Sequence, residues 1–347
     1  MPPRPRLLSI ATVVPPFRLD QKDVMESAAK LFDGDFDDFK RLLPVYDNAA
    51  IKTRYSCVPL EWYLREHGFG ERNRLYLENA VALIERAATD ALAAAGLAPD
   101  DIDVIISVST TGIATPSLDA LLMERLPFRR NVQRLPVFGL GCAGGVLGLG
   151  RAAALARATP DCRVLFVVVE LCALTFRRAD RSKSNVIATA LFGDGAAAGV
   201  VSCAGAGPVI AGWGEYTWPQ SLDIMGWDIA DDGFGVLFSR DIPTLVRQRM
   251  RATAEGYLAG QNLALSHIDS FVCHPGGAKV IDALEQAFSL PAGSLEHTRS
   301  VLRDYGNMSA ATVMFVLERA LGNGARRHLV SSLGPGFTAG FLTLEEA

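Results

Sequence analysis

Three residues in three glycine-flanked motifs have the types needed to do chemistry together. Cys142 lies in Val137-Phe138-Gly139-Leu140-Gly141-Cys142-Ala143-Gly144-Gly145, His274 in Cys273-His274-Pro275-Gly276-Gly277, and Asn307 in Tyr305-Gly306-Asn307-Met308-Ser309. The first motif is an apolar run that turns through glycines into a predicted helix. A cysteine there points its sulfur at the positive end of the helix dipole, which favours the nucleophilic thiolate. A thiolate accepts an acyl group from a thioester by exchange. Extending that group by carbon requires a carbanion, and decarboxylation of a malonyl thioester supplies one as an enolate. A histidine and a side-chain amide aimed at the enolate oxygen stabilise it. The same histidine can pair with the cysteine and hold it as thiolate.

Taken singly, each motif has a plainer reading. A cysteine beside glycines is most often a packed small residue, His274 can cap the helix that follows it, and Asn after Gly is a common turn. Gly139-x-Gly141-x-x-Gly144 also matches the dinucleotide fingerprint. That match lies mid-chain, with no acidic residue closing a strand about twenty residues later, as a ribose contact requires. A tight turn that exposes Cys142 explains the glycines better.

The elements that must position these residues alternate in type. Apolar residues from Leu75 to Ala95 form a helical stripe closed by Gly96. Ile102 to Val108 and Val164 to Val169 read as buried strands, and Leu7 to Val14 as the first strand. Gly145 to Ala158 and Met308 to Leu321 read as alanine-rich buried helices. This alternation predicts an α/β fold with mainly parallel strands covered on both faces. The chain also echoes itself. Leu97-Ala98-Pro99-Asp100-Asp101-Ile102-Asp103 resembles Leu263-Ala264-Leu265-Ser266-His267-Ile268-Asp269, and Gly141-Cys142 matches Gly306-Asn307 at nearly the same offset. Two similar halves, split near Ser202 to Pro208, would bring Cys142 and Asn307 together from opposite helix N-termini.

Bulk properties narrow the class. At 347 residues, 49% hydrophobic and 21% charged, the chain is expected to fold as two domain-sized units without extended disorder. A net charge of −4 argues against a nucleic-acid partner. The six cysteines show no CxxC pairing and point to a reducing, cytoplasmic setting, and the five histidines form no zinc pattern. The basic, mildly apolar N-terminus is cut short by Pro15-Pro16 and reads as a strand rather than a signal peptide. No stretch reaches the ~20 apolar residues of a membrane helix.

The chain resembles the type III polyketide synthases of the chalcone/stilbene synthase superfamily over nearly its whole length. The resemblance runs from Ile51-Lys52-Thr53-Arg54-Tyr55 through Ser109-Thr110-Thr111-Gly112 and Leu191-Phe192-Gly193-Asp194-Gly195-Ala196-Ala197 to Gly334-Pro335-Gly336-Phe337, and includes the three motifs above. It implies a thiolase-like, five-layered αβαβα fold, with residues 1–203 carrying the cysteine and 204–347 the histidine and asparagine. By the same resemblance, Cys142 carries the acyl chain, while His274 and Asn307 serve decarboxylation. Phe192 is a gatekeeper, and Thr110, Thr115, Thr175, Ser309 and Glu170 line or adjoin the cavity. Gly276, Gly277 and Lys279 meet CoA. The substrates implied are acyl-CoA and malonyl-CoA, with no permanently bound cofactor, and the assembly is a homodimer meeting at the Thr115-Pro116-Ser117 loop.

The chain departs from the plant enzymes ahead of Ile51. Arg41 is present, but Pro44 and Asn48 stand where two further cations are expected, leaving Lys52 and Arg54 to hold the CoA phosphates. Leu333 replaces the glycine-loop phenylalanine, and the segment from Asp223 to Phe234 offers no alignable second gatekeeper. These features resemble the bacterial branch that makes alkylresorcinols and alkylpyrones from long fatty acyl starters, with the small Thr115 leaving room for a long chain. Aromatic, short acyl or malonyl starters are the alternative. So is a single condensation of the ketoacyl-acyl carrier protein synthase III kind, against which the missing cations argue. A hydroxymethylglutaryl-CoA synthase-like enzyme needs a glutamate beside Cys142, and the sequence offers no clear one. An inactive acyl-binding paralogue is opposed by the intact Cys, His and Asn.

Overall fold

Strand Val164–Leu171 is buried at every position, and its two faces belong to different cores. Val164, Phe166 and Val168 join one apolar cluster, whereas Leu165, Val167 and Val169 join another. Period-two alternation with apolar residues on both faces is what a strand between two helical layers requires.

The computed structural model describes residues 3–32, 41–159 and 161–346. Its strands are β1 (Arg6–Val13), β2 (Phe17–Asp20), β3 (Thr53–Ser56), β4 (Val104–Val108), β5 (Gln133–Val137), β6 (Val164–Leu171), β7 (Asp194–Ser202), β8 (Val209–Thr217), β9 (Met225–Ala230), β10 (Gly233–Phe238), β11 (Ser270–Cys273), β12 (Arg327–Gly334) and β13 (Thr338–Glu345). A nine-stranded mixed sheet has the order β11-β12-β13-β8-β1-β7-β6-β4-β5, and β2–β3 and β9–β10 form two separate ribbons. The large sheet is two half-sheets joined at the single pair Arg6↔Val209.

Within each half the pattern repeats. β1 runs antiparallel to β7, β7 antiparallel to β6, and β6 parallel to β4. β8, β13, β12 and β11 repeat the same sequence of pairings. The echoed Asp103 and Asp269 precede corresponding strands and make the same bond. Asp103 Oδ2 accepts from the Arg163 N–H at 2.8 Å, and Asp269 Oδ2 from the Arg327 N–H at 2.9 Å.

Three apolar clusters alternate with the two half-sheets. Helix Phe69–Ala95 covers the outer face of the first half through Tyr76, Ala80, Ile84, Ala87, Ala88 and Ala91. Helices Gly144–Ala158 and Thr312–Ala320 fill the middle, touching inward-facing residues of both halves. Helices Ile242–Ala259 and Ala278–Phe288 cover the second half on its outer face. The result is the expected five-layered αβαβα arrangement.

The predicted elements are present, with shifted ends, but the large sheet is not mainly parallel, since five of its eight strand pairings are antiparallel. The first long helix begins at Phe69, six residues before its apolar stripe, and ends with Gly96 left-handed at φ 66°. The helix expected from Met308 begins at Thr312, after the tight turn Ser309–Ala311. No helix among the described residues is long and apolar enough to cross a membrane.

Candidate active site

Cys142 sits in the turn Gly141–Ala143 that leads into helix Gly144–Ala158. The turn needs glycine at 141, where φ is +48° and a Cβ would stand 2.5 Å from the Pro335 ring. The matching turn Ser309–Ala311 leads into the second central helix and brings Ser309 Oγ to 3.5 Å from Cys142 Sγ. Asn307 is held by its backbone. Its N–H donates to Leu191 O at 2.8 Å, and its own carbonyl accepts from Gly193 N–H at 3.0 Å. Its side-chain oxygen accepts from Ser309 N–H at 2.8 Å, which assigns the amide orientation and leaves the NH2 group as the available donor. That group makes only a long contact, 3.5 Å, with Gly276 O.

Cys142, His274 and Asn307 line one cavity of about 830 Å³, together with Gly276, Gly277 and Lys279. The halves of the fold therefore do meet at one site, with the cysteine from the first and the other two residues from the second. His274 is buried, and neither ring nitrogen has a hydrogen-bond partner.

Burial pushes the Cys142 thiol up to about 12, against the smaller lowering effect of Ser309, with Glu170 adding to the rise. Burial likewise pushes the His274 imidazole down to about 3. Removing each group from water disfavours its charged form more than its neighbours repay. Burial therefore works against the thiolate that the helix position favours, and the direction of each effect keeps the isolated groups neutral.

Other predicted residues fall into three groups. Thr110, Glu170 and Ser309 are buried behind the nucleophile's turn. Thr110 Oγ1 accepts from Gly141 N–H at 3.2 Å, and Glu170 Oε2 accepts from Thr110 N–H at 3.0 Å and Thr111 Oγ1 at 2.8 Å. Glu170 Oε1 has no partner, and burial raises this carboxyl to about 7. A glutamate is therefore near Cys142 in space, although the sequence spacing does not reveal it. Phe192 and Thr175 line a separate apolar pocket of about 70 Å³, with Leu19, Val24, Ala28 and Cys172.

Thr115, Lys52 and Arg54 lie elsewhere. Thr115 is exposed on its loop and lines neither cavity. Lys52 borders a neighbouring groove with Lys22 and Arg303. Arg54 is 2% exposed and bonds Gln21 Oε1 and the carbonyls of Thr189, Ala190 and Phe192. The residues before β3 tuck into the fold, so this guanidinium props the gatekeeper's backbone and cannot reach a phosphate in solvent. Arg54→Met is expected to lose about 3 kcal/mol or more of stability by stranding those carbonyls. Denaturant unfolding beside CoA titration checks this: a stable variant with weakened CoA binding would return Arg54 to the ligand.

Two aromatic residues escaped the sequence reading. Phe238, at the end of β10, meets Phe192 edge-on at 5.7 Å and lines the main cavity, so the pair partitions it from the apolar pocket. Trp227 on β9 packs 6.3 Å from Phe192 and donates its indole N–H to Thr110 O at 2.9 Å. The sequence signal was the aromatic alternation of a hairpin, which says nothing about what the hairpin covers.

Family models for chalcone and stilbene synthases match residues 4–208 (N-terminal domain) and 215–345 (C-terminal domain). The chain belongs to this family. It is a type III polyketide synthase, a decarboxylating, condensing acyltransferase. Among curated relatives, a putative chalcone synthase of Bacillus subtilis (strain 168) is 39% identical, with 97% of each chain covered. The 1,3,6,8-tetrahydroxynaphthalene synthase of Streptomyces peucetius subsp. caesius is 38% identical over 97% of this chain and 92% of its own. Among solved structures, 1,3,6,8-tetrahydroxynaphthalene synthase from Streptomyces coelicolor A3(2) superposes with a TM-score of 0.93 at 29% identity, covering 98% of this chain and 99% of its own.

Proposed function

We propose that this synthase loads a compact acyl-CoA starter on Cys142, extends it repeatedly with malonyl-CoA against His274 and Asn307, and cyclises the product. The observation that carries the reading is the shared cavity of about 830 Å³, which brings thiol, imidazole and free amide NH2 together. His274 takes the thiol proton as Cys142 attacks the starter thioester and hands it to the departing CoA sulfur, so one carbon–sulfur bond forms as another breaks and the imidazole returns to neutral. The Asn307 NH2 group and the neutral imidazole N–H then donate to the enolate oxygen left when malonyl loses CO2. The enolate carbon attacks the Cys142 thioester, so one carbon–carbon bond forms as one carbon–sulfur bond breaks.

A compact starter is favoured by the pocket behind Phe192. Its 70 Å³ is far below the several hundred Å³ that drug-sized ligands occupy. The tetrahydroxynaphthalene synthase relatives support the same direction. A long fatty acyl starter, giving an alkylpyrone or alkylresorcinol, is the second reading. The apolar lining of that pocket favours it, but it requires the pocket to open. Mass spectrometry of products from malonyl-CoA alone and from palmitoyl-CoA with malonyl-CoA separates the two. Aromatic products without added starter support the first, and products carrying the C16 tail overturn it.

We further propose that two copies meet at the Thr115-Pro116-Ser117 loop and the neighbouring edge strand β5, where Ile113 ahead of the loop, Leu135 on the strand and Phe138 just past it present apolar side chains.

The proposed proton transfer has a pH signature. Thiolate that forms unaided grows with pH, whereas thiolate that forms by passing its proton to His274 leaves the pair's proton count unchanged and does not. Alkylation of Cys142 by iodoacetamide is expected to rise about tenfold per unit in His274→Ala below the raised thiol pKa, and less steeply in the unsubstituted enzyme, where a thiolate opposite the imidazole makes it more basic. An equally steep rise in the unsubstituted enzyme would show that His274 takes no proton.

A further inference from the structure

The outer part of the main cavity carries more positive charge than the sequence around residues 41–54 suggests. Its lining includes Arg41, Lys183, Arg240 and Lys279, with Asp241 the one carboxylate among the lining residues. All four cations are exposed, whereas His274 and Asn307 are buried, so the cations mark the solvent end and the chemistry the inner end. Three helices also begin here. Lys183–Leu191, Ile242–Ala259 and Ala278–Phe288 each contribute first-turn residues to the lining.

Lys183 and Arg240 break a local rule. Lys183 is the first residue of its helix, and Arg240 lies just ahead of Asp241, the N-cap of the next. A cation at a helix N-terminus faces the positive end of the dipole and weakens the helix. Neither has an ion-pair or hydrogen-bond partner among the described residues to offset that. Positive charge gathered against three positive helix ends favours an anion bound there.

We propose that Lys183 and Arg240 hold the phosphate groups of the CoA thioester, doing from two other elements what Lys52, Arg54 and the residues at 44 and 48 do not. The proposal rests on the CoA-thioester reading above and adds to it which residues read the nucleotide end. The pantetheine arm then runs from these cations past Gly276 and Gly277 to Cys142. This also removes the argument that the mouth lacks the cations to receive a carrier protein, so the test must separate the two ligands.

Calorimetric titration with CoA and with 3′-dephospho-CoA provides that test. The unsubstituted enzyme is expected to bind CoA about tenfold more tightly, the scale of one charge-assisted phosphate contact. In Lys183→Met/Arg240→Met the ratio of the two dissociation constants falls to about one, and the salt dependence of CoA binding shrinks. Lys183→Arg and Arg240→Lys keep most of the ratio, and Lys52→Met keeps all of it. Thermal unfolding of each variant checks that the fold is intact. A ratio that survives the double substitution, or that collapses in Lys52→Met, overturns the proposal, as does a ratio of one in the unsubstituted enzyme. If CoA does not bind at all while a malonyl-loaded carrier protein is used, and its KM rises in the double variant, the cations dock a protein and the CoA reading falls with them.

Discussion

Cys142→Ala is expected to remove condensation, by about 10⁴-fold or more. The sulfur is the acyl carrier in the proposed cycle, and the neighbouring Ser309 Oγ, 3.5 Å from it, accepts a hydrogen bond from the thiol. Ser309 is buried on the Asn307 turn, and its hydroxyl donates to no base among the described residues, which leaves it a weak nucleophile that does not replace the thiol. Intact-protein mass spectrometry after incubation with an acyl-CoA should show one added acyl group on the unsubstituted enzyme and none on the variant. Release of CO2 from malonyl-CoA should continue in the variant, because His274 and Asn307 remain at the cavity. An acyl adduct of equal yield on Cys142→Ala would move the nucleophile elsewhere. Loss of both partial reactions would mean that the thiol also takes part in decarboxylation.

Gly145→Ala is expected to damage both stability and turnover, although it adds one methyl group. A Cβ at Gly145 would stand 2.3 Å from Ala310 O and 2.6 Å from Val313 Cγ1. The first of these is main chain in the facing turn and cannot swing aside as a flexible side chain does. At Gly144 the obstacles are Val108 Cγ1 at 2.7 Å and Ala310 Cβ at 3.2 Å. The two central helices therefore touch backbone to backbone where they begin, and that contact sets the spacing between Cys142 and the Asn307 turn. Relief requires the helices to part, at a cost of about 3 kcal/mol from overpacking. A displacement of about 1 Å at the reacting atoms costs on the order of 10²-fold in rate. Denaturant unfolding and steady-state kinetics together test this. An unchanged midpoint with unchanged kcat would show that the turns can part without consequence.

The sequence made the layers and the chemical residues legible because both are local signals. Val164 to Val169 announces a strand buried on two faces, and a glycine-bracketed cysteine ahead of an alanine-rich helix announces a turn that presents a thiol. The repeated Ile-Asp before β4 and β11 exposed the duplication, since each aspartate performs the same bond to an arginine N–H. What stayed hidden depends on long-range closure. Arg54 looks like a surface cation in sequence and becomes a buried brace only because residues before β3 fold against the helix at 183–191. Thr115 sits on an outward-pointing loop, so within one copy it borders neither cavity. Lys183, Arg240 and Phe238 reach the site from elements whose own periodicity carries no record of the cavity they border. The helix position of Cys142 is visible in sequence, whereas the depth of burial that opposes its ionisation is not.

Phe192 and Asn307 are paired as an isolated parallel bridge, in which the Asn307 N–H and carbonyl bond Leu191 O and Gly193 N–H, the residues on either side of Phe192. The chain at the residue that divides the two cavities therefore supports the amide through flanking main-chain groups, and no hydrogen bond of that support comes from the Phe192 side chain. Any side chain at 192 that keeps the backbone in place leaves the amide where it is. Product range can drift at this position while the reaction itself is insulated from the change, which lets one scaffold diversify what it makes without relearning how to make a carbon–carbon bond.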